Sequence, residues 1–483
     1  MIKLSFEQQK NIGFRFVLDL MEPNSPYGAE LVRHTKVYSP SEKALLADEL
    51  YNVQRCLDTL EPMAAEYSAL ERRLMTLKDI RKSCSGLKKG VTSDTELFEI
   101  KRFLLQLELI KPLFDAVNEN AEYKNIGIAA LSEALGIIDP DRTGTPTFMI
   151  NDTFSEKLAD IRRRKRELEE LIRRAAGGEE RHGLLLERAK TAAEEAAEEA
   201  DIRTQLCGRL SVYADKMLDN IAMLGRLDFV IARARLAKRY GGVCPTVSAS
   251  GIAVRKMTNP AIAKALGGRG SGFTPLSVEL DTGAAVITGA NMGGKSVLLK
   301  TLALNVLLTH CGIFPFAEAF ETELFDSLFI LMEDGQSYES GLSSFGAEIA
   351  RFNEAVKAAD EGRTLLLADE FARGTNPHEG ARIVRGAVKY FGKKDAVSVF
   401  TTHYDGVAEF ASAHYQVVGL KNMDREKAAM KLAEGGGTEA IERFMDYGIY
   451  RVSGMDPVPR EAFVICELLG LDDEIMTYIE ETE

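Results

Sequence analysis

The sequence predicts a multidomain chain: an all-α helical core and a long helical hairpin, followed by an α/β domain built on a phosphate-binding loop. Three observations predict it. Leucine-rich stripes at spacings of three and four recur from residue 40 to residue 240, the mark of amphipathic helices. Ala284-Ala285-Val286-Ile287-Thr288, Thr364-Leu365-Leu366-Leu367-Ala368 and Ala396-Val397-Ser398-Val399-Phe400 are short unbroken apolar runs, as in parallel strands buried on both faces. The first of these leads into Gly289-Ala290-Asn291-Met292-Gly293-Gly294-Lys295-Ser296, which satisfies G-x-x-x-x-G-K-[ST] between a strand and a helix. The domains expected are a helical core over 1–150, a helical lever hairpin over 151–240 and the α/β domain over 241–483.

Residues 1–40 are weakly patterned. Ser39-Pro40 then opens a helix, serine as cap and proline at the first helical position. Leu45, Leu46, Leu50, Val53, Leu57 and Leu60 form its apolar stripe. Pro62 interrupts, and Leu70, Leu74, Leu77 and Ile80 read as the next helix. Ser93-Asp94-Thr95-Glu96 is a capping box opening a third, with Phe98, Phe103, Leu104 and Leu107 inward. These stripes are bundle core.

Residues 152–240 read as the hairpin. Leu158, Ile161, Leu168 and Ile172 share one side of a helix that also carries Arg162-Arg163-Arg164-Lys165-Arg166. Ala176-Gly177-Gly178 permits a break. An alanine-glutamate run from Ala192 to Glu199 follows, and Leu210, Tyr213, Met217, Ile221, Leu224, Leu227 and Ile231 continue the seam. The basic run reads as a solvated face paired with neighbouring glutamates.

Glycine and proline at Gly241-Gly242-Val243-Cys244-Pro245 end the long helix and mark a boundary. In the phosphate loop, glycines let backbone N–H groups converge on phosphate oxygens, and the helix N-terminus adds partial positive charge. Lys295 would reach the β- and γ-phosphates; Ser296 would give its hydroxyl to Mg²⁺. Asp369-Glu370 closes an apolar strand at the end where ligands sit in such sheets. Asp369 would hold the Mg²⁺ through water, and Glu370 would orient or deprotonate the attacking water. His403, at the end of the Ala396–Phe400 strand, would sense the γ-phosphate. Tyr415-Gln416-Val417-Val418-Gly419-Leu420 and Ile449-Tyr450-Arg451-Val452 add outer strands, and 460–480 an amphipathic helix region.

These motifs together resemble the MutS family of DNA mismatch-repair ATPases, across residues 250–420. Asn291-Met292-Gly293-Gly294-Lys295-Ser296, followed by Val297, is similar to the family's phosphate loop. Asp369-Glu370-Phe371-Ala372-Arg373-Gly374-Thr375-Asn376 resembles its second motif, Thr401-Thr402-His403-Tyr404 its switch segment and Ser340-Gly341-Leu342-Ser343-Ser344-Phe345 its signature loop. Leu342 stands where the signature loop usually has Arg, and Ala290 where the phosphate loop usually has Pro. The resemblance implies an ABC-type ATPase domain, ATP with Mg²⁺, and a dimer. Ser343 of a second copy or a paralogous subunit would contact the γ-phosphate across the interface. It also makes Phe273 a candidate for stacking on adenine, although Phe273 reads equally well as a core or edge aromatic.

Two features of the family are not evident. A β-rich clamp would interrupt the hairpin, where only a few residues around Gly177–Gly183 are available. The Phe-x-Glu mismatch wedge occurs only at Phe154, Phe316 and Phe352, none in a suitable N-terminal domain. Direct mismatch reading is therefore not expected. Net charge is −13, so no overall basic field attracts nucleic acid. The composition is globular, with 45% apolar and 28% charged residues. Six scattered cysteines lack C-x-x-C spacing and read as reduced thiols of a cytoplasmic protein. Without a long apolar run, neither export nor a membrane span is expected. The client is DNA of repair type or, in the second reading, a protein. Some trimmed MutS-like proteins are thought to reactivate cobalamin-dependent aminomutases.

Overall fold

The computed structural model describes residues 2–268, 271–289, 293–332, 344–420, 423, 445–452, 464–466 and 470–481. They form two compact units that interleave along the chain. One gathers 22–34 and 55–232; the other gathers 1–21, 35–54 and 233–483. The three consecutive segments expected from sequence differ from this, because residues 1–21 and 35–54 belong with the α/β unit.

The first unit contains helices and, among the described residues, no strand. Its longest early helix, Asp94–Ala121, starts at the expected capping box. Ser93 Oγ accepts from the Glu96 amide at 3.3 Å, and the Glu96 carboxylate accepts from the Ser93 amide at 2.8 Å. Leu97, Phe103, Leu104 and Leu107 are buried along it. Leu77 and Ile80 are buried too, but they lie past the helix Ala64–Leu74, in the link before the helix Arg81–Lys89. Burial without helical continuity explains why their spacing misled.

The hairpin arms are Glu156–Arg174 and Glu179–Ser211, packed on each other. Gly177 and Gly178, at φ 110° and 79°, make the break that an L side chain would resist. Leu158 of one arm meets Ile202 and Leu206 of the other in one apolar cluster. The second arm stops at Ser211, and after the turn at Val212 and Tyr213 a separate helix, Ala214–Tyr240, begins. A three-four spacing is satisfied by two helices as well as by one, so periodicity alone did not disclose this break. Arg162 is held by Asp152, Glu195 and Glu199 at 2.8, 2.9 and 2.7 Å. Arg164 pairs with Glu187 at 2.7 Å, Arg163 with Asp160 and Lys165 with Glu195.

In the α/β unit, a 3-10 turn at Pro40–Glu42, boxed by Ser39 and Glu42, opens the helix Lys43–Thr59. Leu46, Leu50 and Val53 are buried there, but Leu45, expected in the same stripe, is 53% exposed. Among the described residues ten strands follow: β1 (Thr246–Val247), β2 (Ile252–Met257), β3 (Leu276–Leu280), β4 (Gly283–Thr288), β5 (Ala319–Thr322), β6 (Ser327–Leu331), β7 (Thr364–Asp369), β8 (Ala396–Thr401), β9 (Ala413–Gly419) and β10 (Asp446–Arg451). The smaller sheet runs β1-β5-β2-β3 and the larger β10-β9-β4-β8-β7-β6. All pairings in the larger sheet are parallel except β10 with β9.

The expected runs 284–288, 364–368 and 396–400 are thus central parallel strands. β9, expected as an outer strand, lies directly beside β4. Alternate residues of the central strands, Val286, Leu366, Ala368 and Phe400, build one core with Val384, Val388 and Phe391 of the helix Pro377–Phe391. Burying each large side chain contributes about 1.5–3 kcal/mol. The helix Lys295–His310 packs on β7, β8 and β2 and is buried on nearly every side. This fixes the carboxyl ends of β4, β7 and β8 next to one another, with Thr401 of β8 in register with both Ile287 and Asp369.

Of the C-terminal region expected to be helical, the helix Asp473–Glu481 is described. Among the described residues no helix is long and apolar enough to cross a membrane. None of the six cysteines is joined in a disulfide.

Candidate active site

β4 is followed by Gly289, whose φ is 136°. A Cβ there would come within 3.0 Å of Val417 Cβ on β9. Gly294, at φ 83°, caps the helix Lys295–His310, and a Cβ there would come within 3.0 Å of the Tyr447 ring on β10. Both ends of the glycine loop therefore lie against the β9–β10 pair, in conformations that glycine alone adopts without strain. Gly293 is buried; Ala290, Asn291 and Met292 lie outside the described residues. Lys295, in the first helical turn, is 3% exposed. Its Nζ donates to the Gly289 carbonyl at 2.7 Å and stands 3.1 Å from His403 Nε2. Ser296 is exposed and Val297 half-buried in the same turn.

At the end of β7, Asp369 Oδ1 accepts from the Thr401 hydroxyl at 2.6 Å. The next residue, Glu370, turns off the strand with φ 49°. Its amide donates to Thr401 Oγ1 at 3.0 Å. Its carboxylate accepts from Arg373 Nη1 at 2.6 Å and lies 2.9 Å from His403 Nε2. Lys295, His403 and Glu370 thus form one chain of contacts across three strand ends.

His403 Nε2 cannot serve both neighbours at once. The Lys295 ammonium requires a lone pair there, and the Glu370 carboxylate requires an N–H. Burial, and secondarily the Lys295 charge, pushes the His403 pKa below its ordinary value, against the pull of Glu370. The imidazole is therefore neutral near pH 7, and its Nε2 makes a hydrogen bond with only one of the two neighbours at a time. The loop bearing His403 is held on several sides. The Thr402 amide donates to Ile287 O at 3.1 Å, the Tyr404 phenol to Ala372 O at 3.1 Å and Arg385 Nη2 to Asp405 O at 2.7 Å. The Tyr404 phenol also fills the space a Cβ on Gly380 would need.

The structure brings Gly289, Gly294, Lys295, Asp369, Glu370 and His403 to one edge. Phe273 is half-buried just ahead of β3 on the smaller sheet and is not among these contacts. Ser343 and Leu342 lie outside the described residues. The Phe-x-Glu phenylalanines are all packed: Phe154 on Phe148, Phe316 on Tyr240 and Phe352 on Phe371. Sequence reasoning gave no role to Thr401 or Arg373, although both stand inside motifs it singled out.

Residues 285–462 match the family model described as MutS domain V, which covers the strands and loops of this site. This stretch of the chain is similar to MutS domain V. It is 31% identical over 287 residues to Endonuclease MutS2 of Acetivibrio thermocellus, covering 58% of this chain and 33% of that protein. With Endonuclease MutS2 of Caldicellulosiruptor saccharolyticus the identity is 29% over 423 residues, covering 85% and 46%. With that of Caldicellulosiruptor bescii it is 35% over 214 residues, covering 44% and 26%. The chain thus spans between a quarter and a half of the length of these curated relatives. The stretch that matches MutS domain V includes every strand-end residue described above from Thr288 to His403.

Proposed function

We propose that this MutS-like chain binds Mg²⁺-ATP at the carboxyl ends of β4, β7 and β8 and hydrolyses it. One observation carries the reading: a buried lysine at a helix N-terminus, behind a glycine loop, shares a histidine with a carboxylate two strands away. The residues suit the ligand. The glycines leave backbone room, Lys295 supplies positive charge, and Asp369 and Ser296 offer the hard oxygen donors that Mg²⁺ favours. Asp369 Oδ2 has no hydrogen-bond partner among the described residues, whereas Oδ1 is taken by Thr401. Bound Mg²⁺ would neutralise charge on the phosphoryl oxygens.

The chain's own groups would act in a definite order. Lys295 would turn from Gly289 O and His403 to the phosphates. His403 would then keep a single partner, donating Nε2–H to Glu370. Glu370 Oε2 is held by Arg373, whose side chain is 61% exposed and free to swing; once released, that oxygen takes the proton of the attacking water. An ABC arrangement would complete the site with Ser343 of a second copy or paralogous subunit, and hydrolysis would drive movement of the helical hairpin.

For the client, the resemblance to the MutS family favours a DNA-repair-type substrate, without mismatch reading. A protein client, such as an aminomutase awaiting reactivation, is favoured by the ion pairs of the hairpin. Arg162, Arg163, Arg164 and Lys165 already face carboxylates of their own chain, which lowers what they offer to phosphates.

Phosphate release from Mg²⁺-ATP tests the ATPase reading. Wild type should turn over, and Lys295→Ala should be slower by about 10²–10³-fold, as for removal of a charge-stabilising donor. Equal rates would refute this placement of the site.

A further inference from the structure

The structure assigns Thr401 as a positioning residue that aims both carboxylates of the site through one hydroxyl, a role that rests on the ATPase reading above. Thr401 is fully buried at the end of β8, between β4 and β7. The direction of its two hydrogen bonds follows from chemistry. The Glu370 amide can only donate, so Thr401 Oγ1 must accept there, at 3.0 Å. The single hydroxyl proton is then left for Asp369 Oδ1, at 2.6 Å, the length of a charge-assisted O–H···O⁻ bond.

Two consequences follow. Asp369 Oδ1 is occupied by the Thr401 hydroxyl, so Oδ2 is the oxygen presented to a divalent cation. Glu370 is tethered by its amide at the point where the backbone enters the left-handed region, φ 49°, and this tether sets where its carboxylate meets His403 and Arg373. A valine at 401 keeps the β-branched shape and removes both bonds. A serine keeps both bonds and removes only a methyl group.

The test uses the full chain with three readouts: steady-state hydrolysis across a Mg²⁺ titration, binding of a fluorescent ATP analogue in Mg²⁺ and in EDTA, and thermal melting. Thr401→Val should lower kcat by about tenfold or more, as when a preorganised donor is lost. It should raise the half-saturating Mg²⁺ several-fold, and it should leave binding in EDTA within about twofold, because Lys295 and the glycine loop are untouched. Thr401→Ser should restore kcat and the Mg²⁺ response to within about threefold of wild type. A valine variant that matches wild type in kcat and Mg²⁺ response would overturn the assignment. So would a loss that serine does not rescue and that follows a lowered melting temperature, since that is a packing effect. A wild type that binds no nucleotide would instead overturn the ATPase reading, and this role with it.

Discussion

Arg233 offers the sharpest energetic test of the α/β unit. Its guanidinium is 1% exposed, donates to the Gly312 carbonyl at 2.9 Å and pairs with Glu49 Oε2 at 2.5 Å. Gly312 has φ 67°, and a Cβ on it would come within 2.8 Å of Arg233 Nη1. The pair joins residue 49, residue 233 and the end of the helix Lys295–His310 inside one unit. Arg233→Met takes the guanidinium away from the Glu49 carboxylate, whose side chain is 11% exposed. Breaking such a pair costs about 3–5 kcal/mol, whereas replacing both partners by apolar residues is neutral or stabilising. Arg233→Met/Glu49→Leu should therefore recover most of the loss, less about 1 kcal/mol for the orphaned Gly312 carbonyl. Native-state hydrogen exchange of amides in the helix Lys295–His310 measures this locally, which matters in a chain whose two units need not unfold together. At about 1.4 kcal/mol per decade, the single variant should exchange roughly 10²–10⁴-fold faster. The double variant should return to within about tenfold of wild type. A double variant as labile as the single one would refute the argument that the charge, rather than the packing, is what the pair supports.

Two further predictions concern pH and DNA. Burial pushes the His310 pKa down to about 4, with its Nδ1 against Tyr38 O and its Nε2 accepting from the Phe325 amide. The unfolded histidine, near 6.5, takes a proton first as pH falls, so stability should be intact above about pH 6.5 and drop by about 3 kcal/mol towards pH 4. Urea midpoints at several pH values should show that slope in wild type and a flatter one in His310→Gln. Labelled perfect and mismatched duplexes near 0.15 M salt should bind weakly and equally, with or without ATP, and Arg163→Glu/Arg166→Glu should remove the remainder. Tight binding with a mismatch preference would contradict the hairpin reading.

Local pattern carried the parts of this fold that depend on local chemistry. The three central strands are continuous apolar runs, the Ser93 box is a four-residue motif, and Lys295 follows its glycines directly. What escaped depends on distant residues. Asn259 Nδ2 donates to Ile12 O, Gln8 Nε2 to Ile330 O, and His310 bonds to Tyr38 O; such single polar contacts bind residues 1–21 and 35–54 into the α/β unit without any periodic trace. β9 beside β4 is likewise a pairing choice that its own apolar run does not encode. Within the site, the lysine, the carboxylates and the histidine could be singled out because they directly follow apolar strand runs or the glycine loop, and the structure brings them together. Thr401 could not be: a threonine at the end of a strand is ordinary, and only its two bonds distinguish it.

Glu370→Gln tests the central claim most directly. The carboxamide keeps the shape of the side chain but cannot take a proton from water, while Lys295, Ser296 and Asp369 are unchanged. Binding of ATP and release of phosphate, measured on the same preparation, should separate. Binding should stay within about twofold of wild type, and turnover should fall by about 10²–10⁴-fold, the usual contribution of a general base. Turnover within a few-fold of wild type would contradict the account and remove Glu370 from the reaction.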